Sequence, residues 1–158
     1  MAPSLEFAFT LEVDLSPALE FGDTPAGSRR FIPITGGTVE GPKLKAEILP
    51  GGGDWNVLRE DGIGHLYAKY TIKAEDGTLI SVTNEGWVRK YRKVSSEDAS
   101  AGDGGKRMVP EENWYAKTNP RFEVQDGAHG WLNRTLFVGE LRKPHIPNHV
   151  TIDVWSVE

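Results

Sequence analysis

One carboxylate has a setting that suits it for chemistry. Asp54 follows Gly51-Gly52-Gly53 and precedes Trp55. Glycines let the backbone turn where other residues cannot, so this aspartate is delivered at a sharp corner, where it can face a cavity mouth. Partial burial against an indole raises a carboxyl's pKa toward the range useful for general acid or base work. The alternative role is to cap the turn by accepting backbone N–H groups. Arg29 and Arg30 are neighbours in an extended run, so one points in and the other out. An inward arginine can hold a phenolate or carboxylate through two N–H groups; an outward one forms a surface ion pair of little energetic weight. Tyr67 and Lys69 share one face of a later run, and Leu66, Ala68, Tyr70 and Ile72 share the other. If the first face lines an interior, Tyr67 and Lys69 can polarise an oxygen. If the apolar face packs inward, as is usual, Lys69 is simply solvated. Tyr115, Phe122, Trp131 and Asn133 can give aromatic walls and one amide to an oxygen-rich aromatic ligand, or can serve as ordinary packing.

Other chemistries lack their residues. His145 and His149 are four apart, but Pro144 and Pro147 forbid the helix that would put both on one face, so no metal site is expected. No Gly-x-Ser-x-Gly elbow occurs. The glycine clusters lack the Lys-Ser/Thr pair of a phosphate-binding loop. The chain has no cysteine, which removes disulfides and thiolate chemistry together. Net charge is −5 with no basic run, so neither nucleic acid nor an anionic membrane is an expected partner. No apolar run approaches the roughly 20 residues of a membrane span, and no leader pattern is visible; the expected location is cytoplasmic. The expected partner is a small aromatic or hydrophobic substrate, with a homodimer left open as the assembly.

These residues need a scaffold, and period-two alternation provides it. Leu5, Phe7, Phe9, Leu11, Val13 and Leu15 alternate with polar or small residues, which predicts a half-buried strand over 5–15. Residues 16–28 read as a loop, with Pro17, Gly22, Pro25 and Gly27. Strands are expected from Arg29 to Thr35 and from Thr38 to Leu49, with Gly36-Gly37 as a corner between them and Gly41-Pro42 as an interruption. Asp61-Gly62 and Asp76-Gly77 are hairpin turns. Trp131 to Leu141 reads as one strand, and Val150, Ile152 and Val154 as the last. The stretch 95–112, small, charged and glycine-rich, is expected to be a mobile surface loop, either a lid or a plain insertion. The 158 residues suit one domain. The reading is therefore all-β: a single antiparallel β-barrel over 1–158, of roughly nine or ten strands with little helix. A barrel of that size can hold one small ligand.

The series GSRRFIPITGGTVEGPKLKAEILPGGGDW, followed by DGIGHLYAKYTIKAEDGTLI, NPRFEV and WLNRTLFVGELR, resembles the family called domain of unknown function three-two-three-seven. The resemblance runs over nearly the whole chain, and the GG…GP…GGDW series is its specific part. Lys69 stands where that pattern has arginine, and Ala116-Lys117 where it has phenylalanine and arginine. The resemblance implies a single β-barrel and no cofactor. Some fungal members are linked to polyketide pathways of secondary metabolism, where a hydroxyl adds across an alkene without a cofactor. It therefore implies a cyclase or isomerase of hydroalkoxylation type acting on an aromatic polyketide-like substrate. Asp54 would move the proton. Lys69 and Arg29, the arginine at the family's position, would stabilise the oxyanion. Tyr67, Tyr115, Phe122, Trp131 and Asn133 would hold the substrate. The alternative is a non-catalytic barrel that carries a small hydrophobic ligand.

Overall fold

The computed structural model describes the backbone of residues 1–93 and 108–158, and side chains outside 90–112. The strands in chain order are β1 (Leu5–Leu15), β2 (Leu19–Thr24), β3 (Gly27–Glu40), β4 (Ala46–Ile48), β5 (Gly52–Leu58), β6 (Ile63–Ala74), β7 (Leu79–Lys93), β8 (Met108–Glu123), β9 (Phe137–Leu141) and β10 (His149–Val157). A 3-10 turn, Gly130–Arg134, lies between β8 and β9. Among the described residues no helix is long and apolar enough to cross a membrane.

All neighbouring strands are antiparallel, and the sheet closes on itself through pairing of β1 with both β10 and β3. Ten strands fill eight positions around the barrel. On one edge of long β3 lie β1 (register Leu15↔Ile34) and then β2 (Leu19↔Phe31). On its other edge lie β5 (Ile32↔Asp54) and β4 (Thr38↔Glu47), and β6 pairs with both. Closure through β1 pairs strands that would otherwise end the sheet, which relieves the aggregation hazard of open strands.

Alternation decides which side chains enter the barrel. On β6 Leu66, Ala68, Tyr70 and Ile72 are buried, while Lys69 is exposed and Tyr67 and Thr71 half-buried. On β7 Ile80, Val82, Asn84 and Val88 are buried. The all-β barrel expected from the sequence is the observed fold, with local differences. Residues 19–24, read as loop, form β2, a strand with no side chain fully buried and so no hydrophobic alternation to announce it. The Gly36-Gly37 corner lies inside continuous β3. Gly37 has φ +136°, and a Cβ there would lie 1.9 Å from the Glu12 carbonyl oxygen, so the glycines permit close strand contact rather than a break. Residues 130–134 form the 3-10 turn, and the strand begins only at Phe137. Of the expected 95–112 loop, residues 108–112 belong to β8, and the remainder up to 107 lies outside the described residues.

Candidate functional site

Side-chain size divides the barrel interior lengthwise. One half is solid: Phe9, Phe122 and Phe137 meet with ring centroids 5.0 to 6.2 Å apart, and Leu132, Ile72, Ile80, Val82 and Val154 fill around them. The other half holds a cavity of about 130 Å³. Its walls are largely aliphatic, from Val13, Leu15, Ile34, Leu66 and Ile152, with Trp114 and Pro144 toward the β9–β10 connection. Four polar side chains, Asp54, Asn56, Tyr70 and Asn84, interrupt this apolar lining, and His149 is the fifth.

Register places them. Asp54 pairs with Ala68, and Ala68 pairs with Asn84, so one row crosses β5, β6 and β7. Neighbouring strands lie about 4.8 Å apart. The carboxylate and the amide therefore flank a methyl group from opposite sides, about two strand spacings apart at the backbone. Tyr70 sits one inward step further along β6. The small Ala68 side chain leaves room between them.

The carboxylate is oriented rather than loose. Asp54 is 8% exposed. One of its oxygens accepts the Tyr67 backbone N–H at 2.9 Å, and the other accepts the Asn56 side-chain N–H at 3.3 Å. Asn56 is itself fixed, because its carbonyl oxygen accepts from Arg30 Nε at 3.1 Å. Arg30, Asn56 and Asp54 thus form a relay that runs from the arginine to the cavity. The guanidinium fixes which way the amide points, and the amide fixes one carboxylate oxygen.

Asn84 and Tyr70 show the opposite pattern. Asn84 is 1% exposed and Tyr70 4%. Among the described residues neither amide atom of Asn84 nor the Tyr70 hydroxyl has a hydrogen-bond partner. Burial pushes the Tyr70 phenol above its ordinary pKa, so it remains a neutral O–H. Orphaned buried polar atoms are rare, and they cost stability wherever they occur. At the mouth, His149 Nε2 bonds Glu12 at 2.6 Å and its Nδ1 bonds Asp14 at 2.9 Å. The hydrogen bond to Glu12 is the main reason that its imidazole pKa is raised, with desolvation opposing.

The residues singled out in the sequence separate sharply. Asp54 lines the cavity. Arg29 lies on the outer face, where its guanidinium donates to the Trp55 carbonyl at 3.2 Å, and it is Arg30 that turns inward. Lys69 is exposed and Tyr67 half-buried on the outer face of β6; Tyr67 contributes only its backbone N–H to Asp54. Tyr115 stacks under the Arg89 guanidinium, 4.1 Å from its ring centroid. Phe122 belongs to the solid half, and Trp131 packs on Phe137 beside it, ring centroids 5.7 Å apart. The Asn133 amide donates to and accepts from the Val124 backbone, which ties the 3-10 turn to the end of β8. None of these seven lines the cavity. Asn56, Tyr70, Asn84 and His149 were not singled out, and of the arginine pair the wrong member was preferred. Tyr70 carried a signal, as the polar residue on the apolar face of β6, and so did Asn56, two residues beyond Asp54 and hence on its side of the strand.

The fold is a closed antiparallel barrel, solid at one end and hollow at the other, with one buried carboxylate among its described residues. The chain belongs to the family described as Protein of unknown function (DUF3237), whose model matches residues 3–157. It is 32% identical over 163 residues to the UPF0311 protein RPA1785 of Rhodopseudomonas palustris, covering 99% of each chain. The crystal structure of RPA1785 matches with a TM-score of 0.80 at 30% identity, over 100% of this chain and 99% of that one. A β-barrel-like protein from Acinetobacter baumannii AYE matches equally well, with a TM-score of 0.80, 30% identity and coverage of 100% and 98%. More distant is the hydroalkoxylation enzyme phnH of Penicillium herquei, 31% identical over 81 residues, which cover 51% of this chain and 54% of that protein. A solved enzyme from Penicillium herquei shares the fold, with a TM-score of 0.72 at 22% identity over 100% of this chain and 96% of that one.

Proposed function

We propose that the barrel catalyses a cofactor-independent ring closure of hydroalkoxylation type on an aromatic, polyketide-like substrate, with Asp54 as general base and then acid. The observation that carries the reading is the oriented Asp54 carboxylate inside an otherwise largely apolar cavity. In the step, Asp54 takes the proton of a substrate hydroxyl. The oxygen forms a bond to one alkene carbon, the π bond breaks, and the proton passes from Asp54 to the other carbon. Product and substrate are isomers, so proton transfer alone balances the reaction. The relay from Arg30 through Asn56 holds the carboxylate in position, which matters because the hydroxyl must meet the alkene face-on. The relationship to a hydroalkoxylation enzyme supports the reaction class.

A carrier would need polar groups only at its rim. Asp54 and Tyr70 inside the cavity favour the enzyme over that alternative. The test incubates a metabolite extract of the source organism with the protein and follows it by mass spectrometry. The expected result is a compound that changes retention time at unchanged mass, with Asp54→Asn slowing the conversion about a hundredfold or more. A compound retained unchanged by both proteins would instead establish the carrier.

A further inference from the structure

The acid–base reading uses Asp54 and leaves the opposite side of the cavity without a task. We infer that Asn84 and Tyr70 form a polar subsite for a neutral ligand group that carries a carbonyl beside a hydroxyl, borne on a ring. The inference rests on the cavity being the ligand site, and not on turnover there.

Three observations converge on it. The first is that these polar atoms are buried and unpartnered. Asn84 offers two N–H donors and one acceptor, and Tyr70 one O–H donor, all without partners among the described residues. A third orphan, the Thr118 hydroxyl, does not line the cavity and so carries no such meaning. A carbonyl oxygen can accept from Asn84 Nδ2 and from the Tyr70 hydroxyl together, while a neighbouring hydroxyl donates to Asn84 Oδ1. One hydroxy-carbonyl group thus satisfies the floor that the protein leaves open.

The second is charge. The ionisable residues among those lining the cavity are Asp54, Tyr70 and His149, and His149 is engaged by Glu12 and Asp14 at the mouth. Among the described residues that line the cavity there is no lysine or arginine, and a carboxylate placed there would add a second negative charge beside Asp54. Buried charge is costly unless paired. The floor therefore selects a neutral group.

The third is shape and size. The cavity measures about 130 Å³ and has aliphatic walls. That is close to the volume that holds one benzene-sized ring, about 150 Å³. One ring bearing the hydroxy-carbonyl group fills the floor, and a larger substrate extends through the mouth past Trp114 and Pro144.

The experiment titrates the full chain with 2-hydroxyacetophenone, ethylbenzene and salicylate, by calorimetry or by change in tryptophan emission. The hydroxy-ketone is expected to bind about tenfold or more tighter than ethylbenzene, the size of effect that one or two buried hydrogen bonds supply. Salicylate, an anion, is expected to bind at least tenfold more weakly than the hydroxy-ketone. In Asn84→Leu the preference for the hydroxy-ketone over ethylbenzene should fall to within about threefold, and in Tyr70→Phe it should fall part of the way. Tyr70→Phe also serves as the test if Asn84→Leu does not fold. Equal binding of the hydroxy-ketone and ethylbenzene would overturn the subsite, and so would a preference that survives both substitutions. Binding is read without turnover: loss of conversion in the proposed reaction leaves this result intact, and loss of this preference leaves Asp54 chemistry untouched.

Discussion

The same strands build a solid half and a hollow half of the barrel, and the change occurs within single strands. On β7, Ile80 and Val82 pack tightly, and two residues later Asn84 faces the cavity. On β6, Ile72 is 0% exposed in the solid core, while Tyr70 and Ala68 line the hollow. On β1, Phe9 belongs to the aromatic cluster, and Val13 and Leu15 to the cavity wall. The solid half is where the chain termini are sewn together, through Ser4 and Glu158 backbone bonds and the Lys43 ammonium between Glu6 and Glu158. The hollow half gives up that packing. It retains a carboxylate, two amides and a phenol, of which the amide of Asn84 and the phenol are unsatisfied. Such groups lower stability. Tight packing and buried polar groups thus occupy different ends of the same sheet.

Substitutions can break or sharpen that division. The largest effect is expected at the solid end. Phe137 is 0% exposed and contacts the rings of Phe9, Phe122 and Trp131. Phe137→Ala removes a ring from a packed cluster, so it should cost about 3–5 kcal/mol in chemical denaturation. A cost below about 1 kcal/mol would mean that this end is as loosely filled as the other, and the division would not hold.

The hollow end should respond in the opposite sense. Tyr70→Phe deletes a hydroxyl that has no partner among the described residues and keeps the ring. The expected change is neutral to about 1 kcal/mol of added stability, because a buried donor no longer goes unsatisfied. A loss of more than about 1 kcal/mol would show that the hydroxyl is bonded after all and that the floor is not open.

How much of this was legible in the sequence depends on what each feature needs. Period two is local, so the strand over Leu5–Leu15 and the inward face of β6 from Leu66, Ala68, Tyr70 and Ile72 were readable; a register shift between Phe7 and Phe9, which no local pattern announces, leaves Leu5 and Phe7 exposed and buries Ala8 instead. The Asp-Gly turns at 61–62 and 76–77 were readable because Gly62 and Gly77 supply the positive φ that a tight turn requires. Asp54 was singled out from its glycine run, but Gly52 and Gly53 lie with it inside β5, and strand alternation rather than a corner turns it to the cavity. The arginine pair was not resolved, because alternation says that one of the two points inward without saying which. Only the bond from Arg30 to Asn56, across the β3–β5 register, assigns it. Asn84 could not be seen at all. Its role depends on Ala68 and Asp54 standing beside it in a row that crosses three strands, and register between strands is not written in any one of them. The aromatic residues misled for the same reason: Phe122 and Trp131 have the right chemistry for a ligand wall, but lie at the end of the barrel that the protein fills with its own rings.

The smallest expected effect belongs to the mouth, where His149 joins β10 to β1 through Glu12 and Asp14. Its pKa in the folded protein is raised above the ordinary value near 6.5, first of all by the hydrogen bond to Glu12. A raised value means that the folded state binds the proton more tightly than the unfolded chain. The stabilisation is then fully present below about pH 6.5 and is lost as pH rises through the folded value. Both acidic partners are substantially exposed, Glu12 at 40% and Asp14 at 59% of their side chains, so screening limits the contribution to about 1 kcal/mol or less. Denaturation of the protein and of His149→Gln, compared from about pH 6 to about pH 9, should therefore show a stability difference that shrinks as pH rises. A difference that grew with pH would mean that the imidazole is neutral when folded, and Glu12 and Asp14 would then repel one another across the mouth instead of being bridged. The same shrinkage should appear in the Tyr70→Phe background, since burial holds the Tyr70 phenol neutral through this range.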